Sequence, residues 1–227
     1  MNHARRDQPR PDHALRPDGR DVRAAILDAT EHLLAGQSFE SLSVAGILAA
    51  AAVSRGSFYF YFPNKHAVLA ELVRRAVGSA RAAAATWADD DSGPPGAALR
   101  EGTREGGRLW REHAPVLRAI VENWRSDPEL TRLWTEMMDG FAAVAARRIA
   151  ADRAAGRAPA TGPDPHLLAS VLTWMGERAY YLAAVGQPGF TDETALADTL
   201  THLWSAAIYT VPPGPAADQR SGSVSTP

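Results

Sequence analysis

Apolar residues recur at helical spacing along most of the chain. Val22, Ile26, Ala29, Leu33 and Leu34 form one stripe, which predicts a helix from near Asp21 to a stop at Gly36. Phe39 and Leu42 lead into a second helix with Val44, Ile47, Leu48 and Ala51 on its apolar side. Ser43 precedes that run and is a good N-cap, because its hydroxyl accepts a bond from an otherwise unpaired first-turn amide. The step from Ala51 to Ser54 ends the second helix, and Ser54 caps a third. This third helix carries Arg55, Gly56, Ser57 and Tyr59 near its N-terminal end, while Phe58 and Phe62, four apart, share a face that pins it to a small core. Residues 58–62, FYFYF, also alternate with the period of a strand. The flanking caps Ser54 and Asn64, and the lack of a hairpin partner, favour the helix.

From the Asn64 cap a long fourth helix is expected, with Val68, Leu69, Leu72, Val73, Ala76 and Val77 in a stripe that continues to Trp87. The segment from Asp89 to Gly96, with two prolines and two glycines, breaks it. Five more helices are expected over 95–112, 115–126, 128–155, 165–185 and 192–209, with Asp127, Asp164 and Thr191 as caps. The fold class is therefore all-α, with about nine helices. Residues 1–19 mix arginines, aspartates and prolines without apolar periodicity and read as a disordered basic arm, residues 211–227 as a disordered tail. Such an arm either reaches into a minor groove or is a solvated tail, and its aspartates favour the tail.

The hydrophobic share of 45% suits a globular protein able to bury a sizeable core. No run of about 18 apolar residues predicts a transmembrane helix, and the N-terminus lacks the apolar stretch of a secretory signal. With no cysteine there is no disulfide, thiolate catalysis or cysteine-ligated zinc, which fits a cytoplasmic location. A net charge of −2 is not that of a non-specific DNA binder, so any nucleic-acid affinity must come from a local patch and base contacts. Lys65, the only lysine, stands at the start of the fourth helix, where it suits a phosphate contact. No nucleophile elbow, P-loop, dinucleotide fingerprint or zinc-protease helix occurs. His113, His166 and His202 stand singly, and the aspartates at 89–91 lack calcium-loop spacing. Glu177-Arg178 reads as an exposed or internal ion pair. Nothing calls for an enzyme, a cofactor or a metal.

The helix-turn-helix layout, with Val-Ser-Arg-Gly-Ser-Phe-Tyr and Phe-Pro-Asn-Lys in series, resembles the N-terminal signature of the TetR family of transcriptional repressors from about Val22 to Val73. The tract FYFYFPNK, with Met175-Gly176-Glu177-Arg178 and Trp204, makes the chain similar to the EthR-type branch. The resemblance implies a DNA-binding domain over 20–66 and a ligand-binding and dimerisation domain over 67–210. It implies that Ser43, Tyr61 and Lys65 position the first domain on phosphates, and that Arg55, Gly56, Ser57 and Tyr59, on the helix capped by Ser54, face the bases. Gly56 lets the backbone approach DNA or is only a permissive turn residue. Tyr59 meets phosphate or a thymine methyl, or packs against the second helix.

The second half is rich in aromatic residues, most of them core by default. By resemblance, Trp110, Trp134, Met138, Phe141, Met175, Tyr181 and Trp204 line an elongated apolar pocket, with Thr173, Gly176 and Glu177 as its edge. Gly106 stands where the branch tends to place an aromatic, and Gly176 where it places a polar side chain, so a wider and less polar pocket is expected. The last two helices carry Leu167, Leu168, Val171, Leu172, Leu196, Leu200, Leu203, Ala207 and Ile208 on more than one face, and in the family they form the homodimer interface. The resulting expectation is a homodimeric repressor of double-stranded operator DNA, released by a small apolar effector through a swing of the fourth helix. The rivals are a regulator with a filled core and no ligand, and an all-α enzyme or lipid carrier.

Overall fold

The computed structural model describes residues 19–89 and 95–210. The expected arm, apart from residue 19, and the expected C-terminal tail lie outside the described residues. Among these residues there are nine α-helices and no strand: α1 (Gly19–Gly36), α2 (Val44–Ala51), α3 (Arg55–Tyr61), α4 (Lys65–Asp89), α5 (Pro95–Glu112), α6 (Ala114–Asn123), α7 (Pro128–Ala154), α8 (Pro165–Ala184) and α9 (Glu193–Tyr209).

Local chemistry sets most boundaries. Ser43 Oγ accepts from the Gly46 amide at 3.0 Å and Ser54 Oγ from the Ser57 amide at 3.0 Å, so both expected caps are in place. Between them Ala52 adopts a left-handed φ of 53°, which turns α3 away from α2 by 107°. Asn64 Oδ1 caps α4 through the Ala67 amide at 2.9 Å. Asp127 and Asp164 cap α7 and α8, each followed by proline, whose missing amide costs nothing at the first helical position. Asp192, and not the expected Thr191, caps α9 by accepting from the Ala195 amide at 3.0 Å. The helix expected over 115–126 ends at Asn123 and passes into a 3-10 turn over Trp124–Ser126.

The larger hydrophobic core runs through both halves of the molecule. Ile26, Phe39, Ile47 and Phe58 belong to it at the N-terminal end, and Leu117, Ile120, Leu130 and Trp134 within the bundle. Helix α4 bridges the two, packing on α1 at one side and on α6 and α7 at the other. A second, smaller core at the far end of the bundle joins Ala142, Ile149, Ala169, Leu172 and Ile208. Small side chains there let α7 and α8 pack closely. That end is tied by Asp152, fully buried, which accepts from Arg148 Nε at 3.1 Å, Arg157 Nε at 2.8 Å and Tyr209 Oη at 2.7 Å. Burial pushes the Asp152 carboxyl up, but these hydrogen bonds outweigh it and hold the group below its ordinary range.

Candidate nucleic-acid interface and ligand cavity

Helix α3 is seven residues long and is fixed from one side only. Phe58 and Phe62 are buried, with ring centroids 6.1 Å apart. The opposite side is open: Arg55 and Gly56 are exposed, Tyr59 is 50% exposed and Phe60 80%. Ser57 is half-buried, its hydroxyl 2.9 Å from Ser54 Oγ, while Tyr61 is half-buried with its ring edge-on to Phe60 at 4.9 Å. Gly56 lies within the helix and not in a turn. A Cβ there would meet only Ser54 Oγ, at 3.9 Å, so the fold itself does not demand glycine. Phe60, absent from the residues expected to meet DNA, is the most prominent apolar group on this side. Its offset of two from both Phe58 and Phe62 is the signal that it points away from them.

Lys65 has a different task from the expected phosphate contact. Its Nζ donates to the carbonyl oxygens of Leu42 at 2.8 Å, Phe39 at 2.9 Å and Glu40 at 3.1 Å, and lies 4.7 Å from the Phe39 ring centroid. An ammonium has three donors, and these three carbonyls take them all. Lys65 therefore ties the start of α4 to the loop that enters α2.

Within the bundle, residues of α4, α5, α6, α7, α8 and α9 line a partly open cavity of about 380 Å³. Of the residues expected to line it, Trp110, Trp134, Met138 and Phe141 do so. Thr173, Gly176, Glu177 and Trp204 do so as well. Met175 and Tyr181 do not. Met175 packs instead against the smaller core, and Tyr181 packs on the larger core edge-on to Trp110 at 6.5 Å, its hydroxyl donating to Glu122 at 3.2 Å and its ring under the Arg178 guanidinium. Tyr180 takes the place expected of Tyr181. Its ring lies against Gly106, and its hydroxyl donates to the Thr103 carbonyl at 2.7 Å. Burial pushes this phenol well above its ordinary range, so it stays a neutral donor. The room left by Gly106 is thus occupied from α8, which corrects the expectation of a wider pocket at that point.

Among the described residues of this lining, two buried side-chain polar atoms have no hydrogen-bond partner, Trp134 Nε1 and Glu177 Oε1. The Glu177 side chain is 6% exposed, and its Oε2 lies 4.0 Å from Arg178 Nε. Burial raises its carboxyl above the ordinary range and Arg178 draws it part of the way back. Among the described residues no three His, Cys, Asp or Glu gather into a metal-binding group. No single helix there is long and apolar enough to cross a membrane.

Comparison with known proteins agrees with both halves of this arrangement. Residues 26–72 match the family model for bacterial regulatory proteins of the tetR family, and residues 99–210 match that for the C-terminal domain of the transcriptional regulator EthR. The chain is 37% identical over 210 residues to the HTH-type transcriptional regulator EthR of Mycolicibacterium smegmatis, covering 92% of this chain and 96% of that one. It is 35% identical over 202 residues to EthR of Mycobacterium tuberculosis, covering 88% and 93%. A solved TetR-family regulator from Syntrophomonas wolfei shares the fold at a TM-score of 0.70 and 14% identity, covering 86% of this chain and 99% of that one. With an exposed helix-turn-helix at one end, a cavity-bearing bundle at the other and relatives matched along nearly its whole length, the chain belongs to the TetR family of DNA-binding transcriptional regulators, on its EthR-type side, and is not an enzyme.

Proposed function

We propose that the protein is a homodimeric repressor that holds operator DNA through α3 and lets go when a small, mostly apolar molecule enters the bundle cavity. The observation that carries this reading is the open side of α3. Arg55, Gly56, Tyr59 and Phe60 are displayed together, on a helix locked from behind by Phe58 and Phe62. Arg55 is suited to a bidentate contact with guanine, worth about 1–3 kcal/mol of discrimination. Tyr59 and Phe60 offer apolar surface to thymine methyl groups, Ser57 on the helix capped by Ser54 faces the bases with them, and Ser43 and Tyr61 serve phosphate contacts. The division is a DNA-binding domain over 20–66 and a ligand-binding and dimerisation domain over 67–210, and the location is cytoplasmic.

Two-fold operators require a two-fold protein. Leu167 and Val171 on α8 are 62% and 57% exposed, and Leu203 on α9 is 42% exposed. Apolar side chains of this size, exposed on neighbouring helices, suit an isologous dimer face. Leu172, Leu200 and Ile208, expected in the same face, are buried within the protomer and belong to its own core.

The cavity supports a ligand-responsive regulator over one with a filled core. Val77 of α4 lines it, twelve residues along the helix from Lys65, about 18 Å at 1.5 Å per residue. A ligand pressing on Val77 therefore acts on the helix whose first residue clamps the loop into α2. Operator release requires that the ligand bind the two states with different affinity. The test is a titration of the pure protein on DNA from its own upstream region, at two salt concentrations, beside Arg55→Ala. Tight binding abolished by the substitution supports the proposal. Weak binding, equal on unrelated DNA and indifferent to Arg55, overturns it.

A further inference from the structure

Among the described residues, the cavity's charged groups all have one sign. Glu101, Glu105 and Glu177 line it, and no lysine, arginine or histidine does. Glu105 is neutralised by Arg108, whose Nε donates to it at 2.9 Å. Glu101 is exposed, on α5, and so stands toward solvent. Glu177 is the interior member: its side chain is almost wholly buried, with Oε1 unpartnered. Arg178 is 55% exposed with its guanidinium 4.9 Å over the Tyr181 ring, outside the cavity, and it leaves Oε1 unserved. A buried carboxyl oxygen with no donor is costly, and the structure keeps one beside an apolar cavity. Aromatic rings of Trp110, Trp134, Phe141, Tyr180 and Trp204 share that space, and ring faces attract cations.

We infer that the effector is a lipophilic cation: an apolar body bearing one protonated amine, whose N–H donates to the Glu177 carboxylate while the body lies among the aromatic rings. This rests on the proposal that the cavity holds the effector, and it adds the charge and the anchoring atom. Each alternative ligand class fits less well. A fatty acid would bring a further carboxylate to a site already lined by Glu101 and Glu177 besides the Arg108-paired Glu105, with no cation among the described lining residues to receive it. A neutral hydrocarbon would serve neither orphan atom, and an ester could accept from Trp134 Nε1 but would leave the buried Glu177 carboxylate without a donor or a counter-charge. An amine supplies the donor and the charge together, and the exposed Glu101 draws the same sign of ligand toward the cavity.

The experiment titrates the full-length protein with decylamine, decanol and decanoate, probes of equal chain length that differ in headgroup. Tryptophan fluorescence reports binding and operator release reports response. Decylamine should bind roughly 10-fold more tightly than decanol, the size expected for one charge-assisted bond in place of a neutral one, and decanoate most weakly. Glu177→Gln should bring decylamine and decanol within about threefold of each other, with a cooperative melting transition showing that the variant is folded. Glu101→Gln, at an exposed position, should weaken decylamine alone and more so at low salt. Decanol or decanoate binding as well as decylamine, or a preference that survives Glu177→Gln, would overturn the inference while leaving a ligand-responsive repressor. Failure of all three probes to bind or to release operator would count against the effector reading itself.

Discussion

The Tyr180 ring occupies the place a side chain on Gly106 would need: a Cβ there would sit 2.8 Å from Tyr180 Oη and 2.9 Å from Cε2 and Cζ. These are distances that real Cβ atoms do not tolerate, and Tyr180 is also held by its bond to the Thr103 carbonyl. Gly106→Ala should therefore destabilise by about 1–3 kcal/mol, as overpacking of a filled site does. A melting curve would register this as a fall of roughly 2–4 °C per kcal/mol for a chain of this size. Gly107→Ala is the internal control. Its added Cβ would meet Tyr180 Cε1 at an ordinary 3.8 Å, so the better helix propensity of alanine should raise stability slightly.

Gly56 separates folding from binding. An added Cβ would have only Ser54 Oγ near it, at 3.9 Å, so Gly56→Ala should stabilise α3 by roughly 0.5–1 kcal/mol. If the backbone at Gly56 lies close to the bases, the added methyl holds the helix off the groove. Operator affinity should then fall by about 10-fold or more, the equivalent of one lost base contact. A higher melting temperature together with weaker operator binding is the expected pair of results. Unchanged operator affinity would leave Gly56 without a part in recognition.

Features set by neighbours in sequence were legible, and features set by helix rotation were not. Ser43 and Ser54 cap as expected because a cap involves only the next three residues. The burial of Phe58 and Phe62 follows from their spacing alone. Choosing between Tyr180 and Tyr181 is harder, because adjacent helical residues differ by about 100° and either can face a cavity until the packing partner is known. The partner is Gly106, far earlier in the chain, and its missing side chain leaves the space that the ring of Tyr180 fills. Met175 and Gly176 differ for the same reason, the glycine facing the cavity and the methionine the smaller core. Lys65 illustrates a third case. Its position beside α3 suggested DNA, but the carbonyls that take its donors come from residues 23 to 26 positions earlier, a loop whose path no local pattern discloses.

Lys65→Met tests that reassignment. It keeps the apolar stem over Phe39 and removes three hydrogen bonds to carbonyl oxygens, two of which are partly buried. Stability should drop by about 1–3 kcal/mol, the cost of leaving such groups unsatisfied. Operator affinity should weaken through the disturbed entry to α2, with the slope of log affinity against log salt unchanged. A phosphate contact would instead lower that slope by about 0.9 while sparing the melting temperature.

Asp152 predicts how stability depends on pH. Its native carboxyl lies below the ordinary value, which is about 3.9 in an unfolded chain. A depressed carboxyl contributes stability that is fully present above that value and is lost as pH falls through the native one. The protein should therefore lose stability below about pH 4, and Asp152→Asn should flatten that acid limb. Tyr209 behaves in the opposite sense. Burial and its bond to Asp152 push its phenol far up, so its contribution is present below the unfolded value of about 10 and is lost as pH rises toward the native one. Tyr209→Phe should flatten the alkaline limb and cost about 1.5–3 kcal/mol at neutral pH, as expected for a hydrogen bond to a charged group. Asp152→Ala should be worse, because it removes together the hydrogen bonds that the carboxylate accepts from Arg148, Arg157 and Tyr209. Melting temperatures of the three variants and the parent between about pH 3 and pH 10.5 would check all of this in one series. An acid limb in Asp152→Asn as steep as the parent's would show that other carboxylates, and not this buried one, set the low-pH limit.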